Sequence, residues 1–254
     1  MKMLWALVLS LAGLGGCASY TTPGGKADFS QLGLTDQAKA ALTDPAVQEI
    51  LDKRPLVTFP AAIAVARVQS HDYQTGGGRF AVYGGNYSVV SEREVEREAD
   101  FAGIAQLPGV RGVAGIKRIL LDSTLNSDLE LRAAAAKLHA GLLLFYTFDT
   151  RFETQTSVRP LGVITLGLAP NKNARVVTTA SAVLMDTSNG YIYGVYESTS
   201  KQEQLANAWT SAEAMDQIRK QAERAAFADL VEDFRKEWPN VVATYTPKTS
   251  KKGG

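Results

Sequence analysis

Few residues of this chain have the type and spacing to do covalent chemistry, and Cys17 is the most informative of them. It is the single cysteine, and it closes the run Leu14-Gly15-Gly16-Cys17 behind an apolar stretch from Leu4 to Leu14 and a basic Lys2. The small glycine pair lets a peptidase approach the backbone. Cleavage between Gly16 and Cys17 would leave the thiol on the new first residue, ready for acylation. The apolar stretch has signal-peptide length and falls short of the roughly twenty residues of a membrane-spanning helix. A lone thiol excludes an internal disulfide, so an exported domain would depend on its hydrophobic core for stability.

The remaining catalytic inventory is thin. His71 and His139 are the only imidazoles and do not stand at metal-ligand spacing, so the reading includes no metal site. No Gly-x-Ser-x-Gly elbow is present, and neither Gly76-Gly77-Gly78 nor Gly84-Gly85 leads into the Gly-Lys-Ser/Thr of a phosphate loop, so no cofactor is expected. A carboxylate hydrolase could draw on an acid pair such as Asp149 and Glu153, or on one within the charged stretch from Ser91 to Ile104, and neither pattern is specific. The 27 Lys+Arg balance 26 Asp+Glu, which leaves no electrostatic footprint for nucleic acid. Lys248, Lys251 and Lys252 lie among Thr, Ser and Gly and read as a frayed end.

The elements that must position these residues follow from pattern. Residues 1–16 read as the signal peptide, 17–43 as acylated cysteine and flexible tether, 44–239 as one domain, and 240–254 as a disordered tail. Asp44 and Pro45 predict a helix start, with Val47, Ile50 and Leu51 on one face and Pro55 as its end. Ile63 to Val68 reads as a central strand, and Phe80 to Val90 as a hairpin or mobile loop. The Glu/Arg alternation from Ser91 to Ile104 reads as a helix with a solvated, ion-paired face and Val95, Ala99, Phe101 and Ala102 inward. Ile116 to Leu121 reads as a second strand. Ser127 to Glu130 is a capping-box signature, Gly141 is placed to end that helix, and Leu142 to Phe148 is an apolar strand. Val176 to Met185 alternates, Asn189-Gly190 supplies a turn, and Tyr191 to Thr199 returns. An apolar stripe from Met215 to Trp238 predicts a long helix that Pro239 stops.

Leu14 to Cys17 resembles the bacterial lipobox. That resemblance implies a lipoprotein, and the Ala18-Ser19 that follows, rather than aspartate, implies the periplasmic face of the outer membrane. The run Leu131-Arg-Ala-Ala-Ala-Ala-Lys-Leu-His-Ala-Gly-Leu-Leu-Leu-Phe-Tyr146, with Leu184-Met-Asp-Thr-Ser-Asn-Gly-Tyr-Ile-Tyr193, resembles periplasmic lipoproteins of the curli-secretion (CsgG) type over roughly Leu56 to Trp238. It implies an α+β fold, a mixed and largely antiparallel sheet flanked by helices, like the N-terminal domain of TolB. It implies an adaptor or assembly scaffold and no catalytic residues. Members of that group also form oligomeric pores. Here Gly84-Gly85-Asn86 and Arg159-Pro160 interrupt the segments that would have to cross as membrane strands.

One apolar segment stays outside that frame. Leu161, Val163, Ile164, Leu166 and Leu168 lie between Pro160 and Pro170. Proline at both ends disfavours a central strand. The segment reads either as an edge strand or loop folded on the core, or as a contact surface for a partner or the membrane. The expected function is a lipid-anchored envelope scaffold with a protein partner or self-association. A secretion pore and a carboxylate hydrolase are the alternatives.

Overall fold

The computed structural model describes residues 25–27, 44–71, 73, 84–91, 93–156, 172–206 and 212–246. The protein is α+β, with a mixed sheet that does not close into a barrel and helices on its faces. The elements are α1 (Asp44–Asp52), β1 (Ala61–Ser70), β2 (Gly84–Gly85), β3 (Tyr87–Val90), α2 (Glu98–Ala105), β4 (Val110–Gly115), β5 (Thr124–Leu125), α3 (Asp128–Lys137), β6 (Leu142–Thr156), β7 (Lys172–Asp186), β8 (Ile192–Ala206) and α4 (Ala212–Tyr245).

The main sheet runs β3-β1-β6-β7-β8, and β4 shares the β3 side of β1. β4 lies parallel along Ala61 to Val65 and β3 antiparallel along Arg67 to Ser70. On its other side β1 pairs parallel with β6 over Ile63 to Ala66 alone. β6, β7 and β8 form an antiparallel meander of 15-residue strands that continues well past the short parallel part.

Period-two alternation divides the core. Ile63, Val65, Leu144, Tyr146, Ala182 and Leu184 face α4 with Phe227, Leu230, Phe234 and Trp238. Ala64, Ala66, Leu143, Phe145 and Val183 face α3 with Leu131, Ala134 and Ala135. Farther along the meander Val176 is buried against Ile218 and Ala222 of α4.

Helix α3 starts as its residues dictate. The Ser127 Oγ accepts from the Leu129 N–H at 3.3 Å, and Glu130 accepts from the Ser127 N–H at 3.1 Å. Its end differs from expectation: the helix closes at Lys137, and His139, not Gly141, takes the left-handed position at φ 53°. The Arg111 guanidinium donates to the His139 carbonyl at 3.5 Å.

Four further expectations are corrected. The strand expected at Ile116 to Leu121 is β4, just upstream, and Arg118–Leu120 is a 3-10 turn. The helix expected from Ser91 begins only at Glu98, and Ala99 and Ala102 are exposed. Pro239 does not stop α4, which continues to Tyr245 and carries order into the expected tail. A helical proline costs about 3 kcal/mol. Burial beyond it outweighs that: Val241 joins the core, and the Tyr245 ring packs edge-on against Tyr193 at 4.8 Å. Finally, the expected tether contains a fixed point. The Ala27 N–H donates to Thr147 Oγ1 at 3.0 Å, the Gly25 carbonyl accepts from the Ser70 N–H at 3.2 Å, and Lys26 bridges Gln69.

That fixed point fills a gap. β1 and β6 part after Ala66 and Phe145. In the opening the Gln69 side-chain oxygen accepts from the Phe148 N–H at 3.2 Å and from Thr147 Oγ1 at 2.7 Å. Residues 25–27 occupy the rest, so buried backbone groups at the divergence keep partners.

Candidate functional site

Two features stand apart from ordinary packing, a buried charged junction and an open strand platform. The junction forms where α4 crosses β1 and β6. Arg67 occupies an inward position of β1 and is 3% exposed. Arg219 and Glu223 interrupt the apolar stripe of α4 one turn apart and are equally buried. Glu94 and Glu96 come from the irregular segment before α2. Their carboxylates were expected on a solvated helix face. Instead the chain turns Glu96 inward, because a buried guanidinium requires carboxylates close by.

The two arginines are held differently. The Arg219 guanidinium donates to Glu223 at 2.8 Å, to Asp216 at 2.8 and 3.0 Å, and to Glu94 at 3.2 Å. Arg67 Nη2 donates to the Tyr73 hydroxyl at 2.9 Å and stands 3.5 Å from Glu223. Arg67 Nη1 is 3.6 Å from Glu96, too long for a hydrogen bond, and neither it nor Nε donates one among the described residues. The guanidinium also lies over the Phe148 ring, 4.7 Å from its centroid. Glu96 accepts from the Tyr146 hydroxyl at 2.8 Å, and Glu223 from Thr150 Oγ1 at 3.2 Å.

Charge follows geometry. Burial of Arg67 favours its neutral form, but Tyr73, Glu96 and Glu223 outweigh that and raise its pKa. Burial pushes the Tyr146 hydroxyl well above its ordinary value, and Glu96 adds to the effect. Burial alone would raise Asp216, but hydrogen bonds from Lys220 and Arg219 hold it below the usual carboxylate value. Beside Arg67 lies a cavity of about 20 Å³, lined by Arg67, Tyr146 and Phe101, with Ser91, Arg93 and Lys117 around it. That volume suits a water molecule, while metabolite pockets run to several hundred Å³.

The platform is the far part of β6, β7 and β8. One face packs on α4. The other carries polar side chains in register: Thr179 and Thr199 hydroxyls 2.9 Å apart, Ser181 donating to Glu197 at 3.1 Å, and Asp149 paired with Arg151 at 2.9 Å. Asp149 and Glu153 sit four residues apart on one strand, roughly 13 Å at the backbone.

A third polar center belongs to the fold. Asp186, fully buried before the hairpin turn, accepts from the Leu56 N–H at 2.9 Å, the Ser188 N–H at 2.8 Å and the Tyr193 hydroxyl at 3.0 Å. Gly190, at φ +72°, completes that turn beside Asp128 and Arg132 of α3.

Of the residues expected to act, Gly16 and Cys17 lie outside the described residues, as do Leu161, Val163, Ile164, Leu166 and Leu168. His71 and His139 are far apart in sequence and sit in loops, and among the described residues no three His, Cys, Asp or Glu side chains could hold a metal ion. The charged junction was missed. Its signals were present: an arginine inside the apolar run Ala61 to Val68, and an Arg219/Glu223 pair inside an apolar helix stripe.

No family model matches the chain, and no curated protein matches it. Among solved structures it is similar to a presumed lipoprotein from Caulobacter crescentus CB15, at 11% identity over 47% of this chain and 84% of that one, TM-score 0.26. It is also similar to lipoprotein GNA1162 from Neisseria meningitidis, at 11% identity over 66% of this chain and 99% of that one, TM-score 0.27.

Proposed function

We propose that this protein is a lipid-anchored, non-catalytic adaptor of the bacterial cell envelope, held at the periplasmic face of the outer membrane and working in assembly or secretion. The observation that carries the reading is the meander β6–β8. Its 15-residue strands outrun the rest of the sheet, and over their far part, among the described residues, one face is backed by α4 while the other carries a polar ladder with no element packed on it. A rigid, half-covered sheet of this kind is suited to bind another protein. The lipobox-like Leu14 to Cys17 and the resemblance to curli-secretion lipoproteins support the same reading.

The fixed point at Gly25 sharpens the role of the anchor. Gly25 lies eight positions after Cys17, and eight extended backbone steps span at most about 29 Å. Acylated Cys17 would therefore keep the sheet within that distance of the bilayer, closer than a tether running to residue 43 would.

The test combines fractionation with photo-crosslinking in cells. Labelled palmitate should enter the parent chain and not Cys17→Ser, which should leave the membrane fraction still folded. A photo-reactive residue at Thr179 should give a light-dependent adduct, and one at Asp229, on the outer side of α4, should not. Membrane retention of cleaved Cys17→Ser would sink the anchor. Equal or absent adducts at the two positions would sink the adaptor role.

A further inference from the structure

The outer edge of β8 has no strand beside it among the described residues. Every second residue of β8 therefore turns its N–H and C=O outward, a template for another strand. Proteins guard such edges with charge, and β8 carries Glu197, Lys201 and Glu203 on its solvated face.

The order of those charges selects an occupant. From Ile192 to Ala206 the midpoint is Thr199. When two copies pair antiparallel about a twofold axis through Thr199, all fifteen residues overlap and each Glu197 lies opposite Lys201 of the other copy, twice in the interface. The axis is perpendicular to the sheet, so odd-numbered residues meet odd-numbered residues and the pleat is kept. Moving the axis to Ser200 sets Glu197 against Glu203, a like-charge pair. Moving it to Ser198 sets Glu197 against Thr199 and Lys201 against Val195, so both ion pairs are lost. Opposite charges directly across a ladder stabilise it and like charges destabilise it.

We propose that the protein self-associates by edge-to-edge pairing of β8 with β8 of a second copy, centred on Thr199. The side chains needed are at hand. Among the described residues Lys201 is exposed and makes no ion pair, and the Glu197 carboxylate is held only by the Ser181 hydroxyl. Val195, 65% exposed on the same face, would be covered by the second copy's strand. The pairing makes one continuous sheet with both α4 helices on one side. It does not depend on the lipid anchor or on a partner at the polar face.

Cross-linking of the full chain tests it. Directly opposed residues of an antiparallel pair have Cα atoms about 4.5–5.5 Å apart, within disulfide range. Thr199→Cys should form a disulfide-linked dimer under mild oxidation. Thr179→Cys, one strand inward on the same face, should stay monomeric. In the Thr199→Cys background, Glu197→Lys should cut the dimer fraction about tenfold, and adding Lys201→Glu should restore most of it. These surface positions leave the core untouched. Cross-linking of Thr199→Cys no greater than of Thr179→Cys overturns the proposal, and so does a Glu197→Lys effect that Lys201→Glu does not reverse.

Discussion

Replacing Arg67 by methionine tests how the charged junction is held together. Methionine keeps an unbranched stem against Phe148 and Tyr73 and removes the charge. The change leaves Glu223 well served, since Arg219 donates to it at 2.8 Å and Thr150 at 3.2 Å. Glu96 fares worse: its side-chain partner becomes the Tyr146 hydroxyl alone, in a site where Glu96 is 7% exposed. Removing one partner of a buried ion pair costs about 3–5 kcal/mol. The Arg67 contacts to Glu96 and Glu223, at 3.6 and 3.5 Å, are long, and two of its nitrogens donate to nothing among the described residues. The lower end, about 3 kcal/mol, is therefore expected. With a urea m-value of about 2–3 kcal/mol/M, the midpoint should fall by roughly 1–1.5 M. The fluorescence of Trp238, stacked 5.5 Å from Phe234 and fully buried, reports the transition. Adding Glu96→Gln removes the stranded charge while preserving an acceptor for Tyr146. The double variant should recover about 1 kcal/mol relative to Arg67→Met alone. A midpoint for Arg67→Met within about 0.3 M of the parent would refute the reasoning. So would a double variant whose loss equals the sum of the two single losses.

Two further outcomes follow from other buried polar groups. Tyr73, Tyr87 and Tyr146 are all raised above the ordinary tyrosine value, chiefly by burial. The unfolded chain loses these protons near pH 10 while the folded chain keeps them, so their contribution is complete below pH 10 and is lost as pH rises above it. At pH 11 the loss is about 1.4 kcal/mol for each of Tyr87 and Tyr146, about 3 kcal/mol together, and Tyr73 adds to it in the same direction. Urea midpoints at pH 9 and pH 11 should differ accordingly, and equal midpoints would contradict the assignment. Asp186→Ala removes the acceptor of the Tyr193 hydroxyl, which keeps only the Val57 N–H as donor to it, and loosens both the Leu56 segment and the hairpin turn. A cost of about 2–3 kcal/mol should lower the melting temperature by roughly 5–10 °C, and a drop under about 2 °C would argue against the clamp.

The elements that read correctly from sequence are those whose local chemistry agrees with their tertiary surroundings. Ser127 and Glu130 cap α3 by contacts within one turn, and the alternation from Val176 to Leu184 matches the face that α4 covers. Helix α1 is present as expected, yet the face read as apolar is exposed, with Val47, Ile50 and Leu51 at 43, 51 and 62%. Local pattern defines the helix and does not say what lies against it.

The misread segments share a cause: a distant contact outweighs a local preference. Pro239 would end an isolated helix, but Trp238 donates to the Pro108 carbonyl at 2.7 Å and Tyr245 closes the Tyr191/Tyr193 cluster, so the chain on both sides is held in line. The Glu/Arg alternation before α2 would form a solvated helix on its own. It unwinds because Arg67 and Arg219, remote in sequence, need Glu96 and Glu94 in the interior and at its rim. Residues 25–27 look like linker because nothing near them in sequence explains order. Their partners, Ser70 and Thr147, are the groups left over where β1 and β6 diverge. The same divergence frees β6 to continue with β7 and β8 past the parallel strands, and this creates the platform. The buried charges, the pinned linker and the open meander thus arise at one place, the end of the short β1–β6 pairing, and a pairing length set by packing cannot be read from residue type alone.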